Sequence, residues 1–148
     1  MEVQQDFKEL LALLNAHRVK YMVVGGHALA YYGVPRYTGD IDIFVQPERD
    51  NAERMLRALD EFGFGDIGLK TVDFMKPNQV VQLGYPPVRI DIVTSISGVS
   101  WDVAASESVQ GHYGDVPVNF IGRRHFVLNK KASGRKKDIA DLEALGEA

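Results

Sequence analysis

The chain carries, at residues 25–45, the sequence GGHALAYYGVPRYTGDIDIFV. The stretch opens on two glycines that follow an apolar run, and it closes on two aspartates separated by one isoleucine. Because side chains alternate across a strand, Asp40 and Asp42 lie on one face and Ile41 on the other. Like charges held side by side repel, so burying part of this strand is costly without a cation. The stretch therefore predicts a cation site next to a glycine turn.

A second strand carries a third carboxylate in the same setting. Asp91 lies within residues 88–93, VRIDIV, whose β-branched content predicts a strand. If the two strands pair, Asp91 joins the face of Asp40 and Asp42. Carboxylates that start about 6.6 Å apart on a strand can converge on one ion or bridge two, as in two-metal phosphoryl transfer. With no histidine or cysteine in register, the set favours Mg²⁺ or Mn²⁺ over zinc.

Each aspartate also has an ordinary structural interpretation. A single pair of aspartates is more often solvated or ion-paired than catalytic, and Asp40 could simply end a loop. Asp91 could pair with Arg89 or with a neighbouring lysine. Three charged residues inside apolar strands are harder to explain in this way, so we interpret Asp40, Asp42 and Asp91 as a metal site.

The residues around the glycines suit a phosphate. Gly25 and Gly26 let backbone N–H groups approach an anion, and the helix expected at 27–32 adds its dipole. Arg36 and Thr38 offer a guanidinium and a hydroxyl to a polyphosphate. The alternatives are a simple turn for the glycines, a surface position for the arginine and a turn role for the threonine.

Composition limits the class of protein. The 148 residues suit one domain, and 45% hydrophobic with 25% charged residues is typical of an ordinary globular chain. No apolar run reaches the roughly 18 residues that span a bilayer, and the polar, acidic start is unlike a signal peptide. The absence of cysteine excludes disulfides, thiol catalysis and thiolate metal sites. We expect a cytoplasmic protein without a membrane contact.

Charge is unevenly distributed along the chain, although the net charge is only −3. Residues 121–137 hold seven lysines and arginines and no acid, whereas residues 1–120 hold sixteen acids against ten lysines and arginines. A basic segment on an acidic body suits contact with a polyanion, and a solvated helix face is the alternative.

Periodicity predicts an α/β (α+β) fold with a mixed central sheet and flanking helices, in a single domain at 1–148. We expect helices at 3–17, 27–32, 52–62, 101–106 and 124–145, the last interrupted at Ser133-Gly134. We expect strands at 21–24, 40–45, 66–69, 79–83, 88–93, 109–113 and 116–120. Ser100 is placed to cap a helix, and Gly114-Asp115 to turn a hairpin.

The chain resembles the nucleotidyltransferase superfamily related to DNA polymerase beta in three motifs: Gly25-Gly26, the run RYTGDIDI at 36–43, and Ile90-Asp91-Ile92. The late run NKKASGRKKDIADL at 129–142 is similar to small bacterial members of the abortive-infection and toxin–antitoxin branch. The resemblance covers most of the chain. Many members have Gly-Ser where this chain has two glycines, so a serine contact to phosphate is missing here.

The resemblance implies a nucleotidyltransferase fold and a magnesium-dependent transfer of a nucleotide from a nucleoside triphosphate such as ATP. Gly25 and Gly26 would contact the triphosphate. Asp40 and Asp42 would hold two magnesium ions, and Asp91 would share one metal and help deprotonate the acceptor.

The resemblance also assigns residues late in the chain. Lys130 and Arg135 would line the nucleotide or acceptor side, and Asp138 and Asp141 would orient them. The alternative is that these four residues only pair with one another along a helix.

Three classes of function follow. The first is a nucleotidyltransferase whose acceptor is an RNA 3′ end, a side chain of a partner protein or a small hydroxylated molecule, with a cognate toxin or antitoxin as a further partner. The second is a nucleotide-binding or antitoxin-like module without turnover, against which the retention of all three acids argues. The third is a metal-dependent phosphohydrolase, for which the chain lacks a water-activating His-Asp set.

Two further observations concern rings near these motifs. A histidine at a helix start, here His27, is more often structural than catalytic. An aromatic side chain could stack on a base, but packing is the expected role for Tyr31, Tyr32, Tyr37 and Trp101.

Overall fold

The computed structural model describes residues 3–36 and 38–147, and within them it contains six α-helices and six strands. The helices are α1 (Gln5–Ala16), α2 (Gly25–Tyr31), α3 (Arg49–Leu59), α4 (Trp101–Ala105), α5 (Arg123–Ser133) and α6 (Lys136–Leu145). The strands are β1 (Tyr21–Val24), β2 (Asp40–Val45), β3 (Val80–Leu83), β4 (Arg89–Val93), β5 (Val109–Tyr113) and β6 (Val116–Phe120). A π-helical turn, Asp60–Phe64, follows α3, and a 3₁₀ turn lies at Thr71–Phe74.

The six strands form one mixed sheet in the order β3-β4-β2-β1-β6-β5. At its centre, β2 is parallel to β4 and antiparallel to β1, while β1 is parallel to β6. At the edges, β3 and β5 pair antiparallel with β4 and β6. The predicted class, a mixed central sheet with flanking helices, is confirmed.

The core explains why the aspartates of β2 face away from it. The buried side chains of α1 follow the i, i+3, i+4, i+7 spacing of one helix face, and they are Phe7, Leu10, Leu11 and Leu14. This helix contacts α3 and β6. Ile41 and Ile43 of β2 are buried in the same hydrophobic core. Because side chains alternate along a strand, Asp40 and Asp42 lie on the opposite face of the sheet.

One predicted strand is wrong. Residues 66–69 form no strand and instead lie between the π-helical turn and the 3₁₀ turn. Gly68 has a φ of +81°, which lies outside the extended region of a strand. The helix expected at 52–62 has different bounds in the structure. α3 begins earlier, at Arg49, and ends at Leu59. The π-helical turn follows it, and Gly63 in that turn has a φ of +115°.

Several finer predictions agree with the structure. The hairpin of β5 and β6 turns at Gly114-Asp115 as expected, and Gly134, with a φ of +62°, interrupts the late helical stretch. The Ser100 hydroxyl accepts a hydrogen bond from the Val103 N–H and caps α4.

In the part of the chain that the structure describes, no helix combines the length and the apolar character needed to cross a bilayer.

Candidate active site

Two adjacent parallel strands bring three carboxylates together at the centre of the sheet. β2 and β4 pair so that Asp42 lies opposite Asp91 and Asp40 lies opposite Arg89. Asp91 therefore shares the face of Asp40 and Asp42, as expected for paired strands. One carboxylate oxygen from each aspartate lies within 4.8 Å of those of the other two. Oxygen ligands at this separation can converge on a hard divalent cation.

The electrostatics of this cluster favour a cation. Burial, followed by the negative charges of Asp40 and Asp91, raises the pKa of Asp42 from 3.8 to about 7. Burial also raises the pKa of Asp91, although Arg89 opposes that effect. The Oδ1 atom of Asp91 is buried and has no hydrogen-bond partner among the described residues. A buried carboxylate oxygen without a donor fits a metal ligand.

Arg89 lies among the carboxylates. Its Nη2 donates to Asp40 Oδ2 at 2.8 Å and to Asp91 Oδ2 at 3.0 Å. The ion pair considered for Asp91 is therefore present, and it coexists with the convergence of the three acids. Strand alternation alone could have identified this residue, because Arg89 lies two positions before Asp91 and so shares its face.

The two glycines after β1 make room for neighbouring side chains. Gly25 has a φ of +68°, and a Cβ at this position would clash with Asp42 Oδ2. A Cβ on Gly26 would lie only 2.5 Å from Thr38 Cγ2. The glycines thus allow the carboxylate strand and the segment before it to approach the end of β1. Their contact with a phosphate stays a prediction.

The carboxylates line a cavity of about 810 Å³, a volume typical of ligand pockets. The predicted site residues all line it, namely Gly25, Gly26, Arg36, Thr38, Asp40, Asp42, Asp91, Lys130 and Arg135. Further polar residues line it that the sequence did not assign to the site, namely Arg89, Ser95, Ser97, Asn129, Ser133 and Lys137. Ser95 and Ser97 belong to no motif that the sequence singled out, so only the tertiary fold reveals them.

A buried ion-pair network joins α5, α6 and the segment before β2. Lys130 Nζ lies 3.1 Å from Asp138 Oδ1 and from Asp141 Oδ2, and all three side chains are buried. Arg135 Nε donates to Asp138 Oδ2 at 2.8 Å, and Arg36 pairs with Asp141. Burial alone would raise the pKa of Asp138, but hydrogen bonds from Arg135 and Lys130 lower it to about 2. The acids and bases therefore pair with one another while Lys130 and Arg135 also line the cavity.

Thr38 and His27 form a hydrogen-bonded pair, with 2.8 Å between Thr38 Oγ1 and His27 Nε2. The imidazole is buried and meets the rings of Phe7 and Tyr113 edge-on. Burial lowers the pKa of His27, which favours the neutral ring. These contacts agree with the structural role expected of the histidine. A contact between the Thr38 hydroxyl and a polyphosphate stays a prediction.

The aromatic residues near the motifs are packed in the protein. Tyr31 stacks on Phe120 with 4.3 Å between ring centroids, and Tyr32 donates its hydroxyl proton to a backbone carbonyl. Trp101 meets a core phenylalanine edge-on. Tyr37 lies outside the described residues.

The basic segment 121–137 divides into paired and unpaired side chains. Arg123 and Arg124 form ion pairs with glutamates. Lys131 and Lys136 are exposed and form no salt bridge with any residue that the structure describes. Contact of this segment with a polyanion stays a prediction.

The fold agrees with the comparisons to known proteins. The family model described as "nucleotidyl transferase of unknown function" (DUF2204) matches residues 3–148. No curated protein matches the chain. Among solved structures, a Thermotoga maritima protein provisionally named a nucleotidyltransferase has a TM-score of 0.60 and 15% identity, over 95% of this chain and 88% of that chain. This likeness shows the fold, and the family model covers nearly all of the sequence. The chain therefore belongs to this nucleotidyltransferase family.

Proposed function

We propose that this protein is a metal-dependent nucleotidyltransferase that moves a nucleoside monophosphate from a nucleoside triphosphate to a hydroxyl acceptor. The observation that carries the proposal is the convergence of Asp40, Asp42 and Asp91 on one cavity, with oxygens within 4.8 Å of one another. Membership of a nucleotidyltransferase family supports this chemistry.

The donor set suits Mg²⁺ or Mn²⁺. It consists of carboxylate oxygens, which hard cations prefer, and one of them, Asp91 Oδ1, is buried without a donor among the described residues. In the proposal, Asp40, Asp42 and Asp91 would be the metal ligands, with Asp40 and Asp42 holding two ions and Asp91 sharing one. Such ions, when bound, lower the pKa of an acceptor hydroxyl and neutralise the departing pyrophosphate.

The side chains of the site have separate roles in the proposed reaction. Asp91 accepts the proton of the acceptor hydroxyl as the hydroxyl oxygen attacks the α-phosphorus. The bond from that phosphorus to the bridging oxygen breaks, and pyrophosphate leaves with the electron pair. The remaining predicted residues of the cavity bind the nucleotide: Gly25, Gly26, Arg36, Thr38, Lys130 and Arg135.

The acceptor and the biological setting are the finer part of the proposal. We propose an RNA 3′ end, a partner protein or a small hydroxylated molecule as acceptor, and action in a cytoplasmic toxin–antitoxin system. The resemblance of residues 129–142 to that branch supports the setting.

The second candidate is a nucleotide-binding or antitoxin-like module without turnover. The observation in its favour is that Arg89 bonds both Asp40 and Asp91, which satisfies part of the carboxylate charge without a metal.

Labelled nucleotides distinguish the two candidates. The protein is incubated with each radiolabelled nucleoside triphosphate, Mg²⁺ and either total RNA or a cell lysate, alongside Asp42→Asn as the matched control. A transferase should label a polymer or a small molecule, and the variant should not. Firm triphosphate binding without transfer to any acceptor would favour the binding module.

A further inference from the structure

One arginine contacts the carboxylate cluster in the way that a bound cation would. Arg89 lies opposite Asp40 across the β2–β4 pair and two residues before Asp91 on its own strand. With Asp42, these residues form a two-by-two array on one face of the sheet. The Nη2 atom of Arg89 lies 2.8 Å from one carboxylate and 3.0 Å from the other.

The contacts of Arg89 leave it incompletely satisfied. Its Nε is buried without a hydrogen-bond partner among the described residues, and so is Oδ1 of Asp91. A bidentate pair between the two side chains would satisfy both atoms. Instead, one guanidinium nitrogen bonds two carboxylates, as a shared cation does. The Arg89 side chain is 34% exposed and lines the cavity, so it has space to move.

We propose that Arg89 is a resident counter-ion, which occupies the carboxylate cluster without metal and leaves it when metal and nucleotide enter together. The inference rests on the proposed function. A divalent ion held by Asp40 and Asp91 would lie within a few ångströms of the guanidinium, where the two positive charges repel. Arg89 cannot avoid this repulsion by losing a proton, because its guanidinium stays charged. It therefore has to move toward the cavity.

A triphosphate in the cavity changes this balance. Its negative charge gives the displaced guanidinium a new partner, whereas free metal offers none. Metal should therefore bind weakly on its own, and metal and triphosphate should each strengthen the binding of the other. By this mechanism Arg89 limits loading of the site to conditions in which the nucleotide is present.

Binding of Mn²⁺ to the full chain without nucleotide, followed by electron paramagnetic resonance, tests the first step. Arg89→Gln should bind Mn²⁺ at least about tenfold more tightly than the wild type, because a neutral amide replaces a cation. Arg89→Lys keeps the charge and should stay within about threefold of the wild type. Arg124→Gln, which removes an exposed arginine outside the cavity, is the matched control. Equal affinity in the wild type and Arg89→Gln overturns the inference.

Thermal unfolding of the wild type and of Arg89→Gln tests the coupling. For the wild type, Mn²⁺ together with inorganic tripolyphosphate should raise the melting temperature by more than the sum of the two separate shifts. In Arg89→Gln, Mn²⁺ alone should give most of the combined shift. A combined shift in the wild type no larger than the sum overturns the inference.

Asp42→Asn separates this inference from the proposed function. Loss of Mn²⁺ binding in Asp42→Asn, together with unchanged affinity in Arg89→Gln, overturns the role of Arg89 and leaves the metal site intact. If no form of the protein binds Mn²⁺, even with tripolyphosphate, the metal site of the proposed function fails as well.

Discussion

Two aspartates of this protein have opposite environments. Asp42 is half-buried and has negative neighbours, and together these raise its pKa to about 7. Asp138 receives hydrogen bonds from Arg135 and Lys130, which outweigh its burial and lower its pKa to about 2. The same residue type therefore favours the protonated form in one place and the charged form in the other. Each aspartate makes its own pH-dependent contribution to the free energy of unfolding.

Asp42→Asn should stabilise the metal-free protein more at pH 8 than at pH 5. Because folding raises the pKa of Asp42 from 3.8 to about 7, its favourable contribution is complete below about pH 4 and is lost as the pH rises through 7. Asparagine does not ionise and escapes this loss. Thermal unfolding of both proteins in EDTA measures the difference, in which titrating groups outside the carboxylate cluster cancel. A difference that does not change between the two pH values would contradict the prediction.

Asp91→Asn should separate a catalyst from a binder. In a transferase, loss of this general base should leave triphosphate affinity within about tenfold and reduce transfer by on the order of a hundredfold or more. Calorimetry measures the affinity and label transfer measures the rate, with the exposed Asp66→Asn as control. A binder would instead change mainly in metal or nucleotide affinity.

Gly25→Ala should weaken both the fold and metal binding. A positive φ costs an ordinary residue about 1–2 kcal/mol, and here the new Cβ would also clash with Asp42 Oδ2. Gly68→Ala is the matched control, because its φ is +81° and nothing lies within 4 Å of the added Cβ. Urea unfolding should show a loss in both variants, while Mn²⁺ binding should fall only in Gly25→Ala. An equal effect of both on Mn²⁺ would mean that the clash with Asp42 is unimportant.

At the scale of elements, the sequence pattern predicts a strand correctly where the residues of that strand alone favour extended structure. Residues 40–45 and 88–93 were predictable as β2 and β4, because apolar β-branched residues surround the charge in each. The strand predicted from the apolar alternation at 66–69 is wrong, because the φ of Gly68 lies outside the extended region. Pairing is a tertiary property, so the contact of Arg89 with Asp40 required the register of two strands that are distant in sequence.

The junction of α5 and α6 depends on its buried ion pairs. Asp138→Asn should destabilise the protein by about 2 kcal/mol at pH 7, the equivalent of lowering its pKa from 3.8 to about 2. Because folding lowers this pKa, the contribution is present above about pH 4 and is lost as the pH falls through 2. Urea unfolding at pH 7 and pH 3 measures it, with the exposed Asp102→Asn as control. A loss that is as large at pH 3 as at pH 7 would assign the effect to packing.

At the scale of the whole molecule, the basic segment should matter only for a large acceptor. Lys131→Gln with Lys136→Gln should weaken RNA binding and reduce its salt dependence, because each phosphate contact releases counterions. Transfer to a small acceptor should not change, since neither lysine lines the cavity. Filter binding at several salt concentrations is the measurement, and two other exposed lysines, Lys20→Gln with Lys76→Gln, are the control. Equal losses in both double variants would indicate only a general charge effect.

Whole-molecule properties were the least predictable from sequence. The motifs indicated a family because its chemistry needs three carboxylates on one face of a sheet. Asp40, Asp42 and Asp91 are spaced in the sequence so that they can meet this need. The acceptor depends on surface shape and charge around the cavity, to which residues such as Ser95 and Ser97 contribute without belonging to a sequence motif. The single-domain organisation, the cytoplasmic location and the toxin–antitoxin partner stay predictions.

The pairing of β2 with β4 also bears on how the protein folds. An unfolded chain keeps Asp42 and Asp91 apart, so a metal ion that needs both can stabilise only conformations in which these strands have joined. Parallel strands close a long loop when they pair, which is slow, and three converging negative charges oppose it further. If the strands join before the rate-limiting barrier, Mg²⁺ speeds refolding; if they join afterwards, it only slows unfolding. Stopped-flow kinetics with and without Mg²⁺ would thus show when, during folding, this protein acquires its carboxylate cluster.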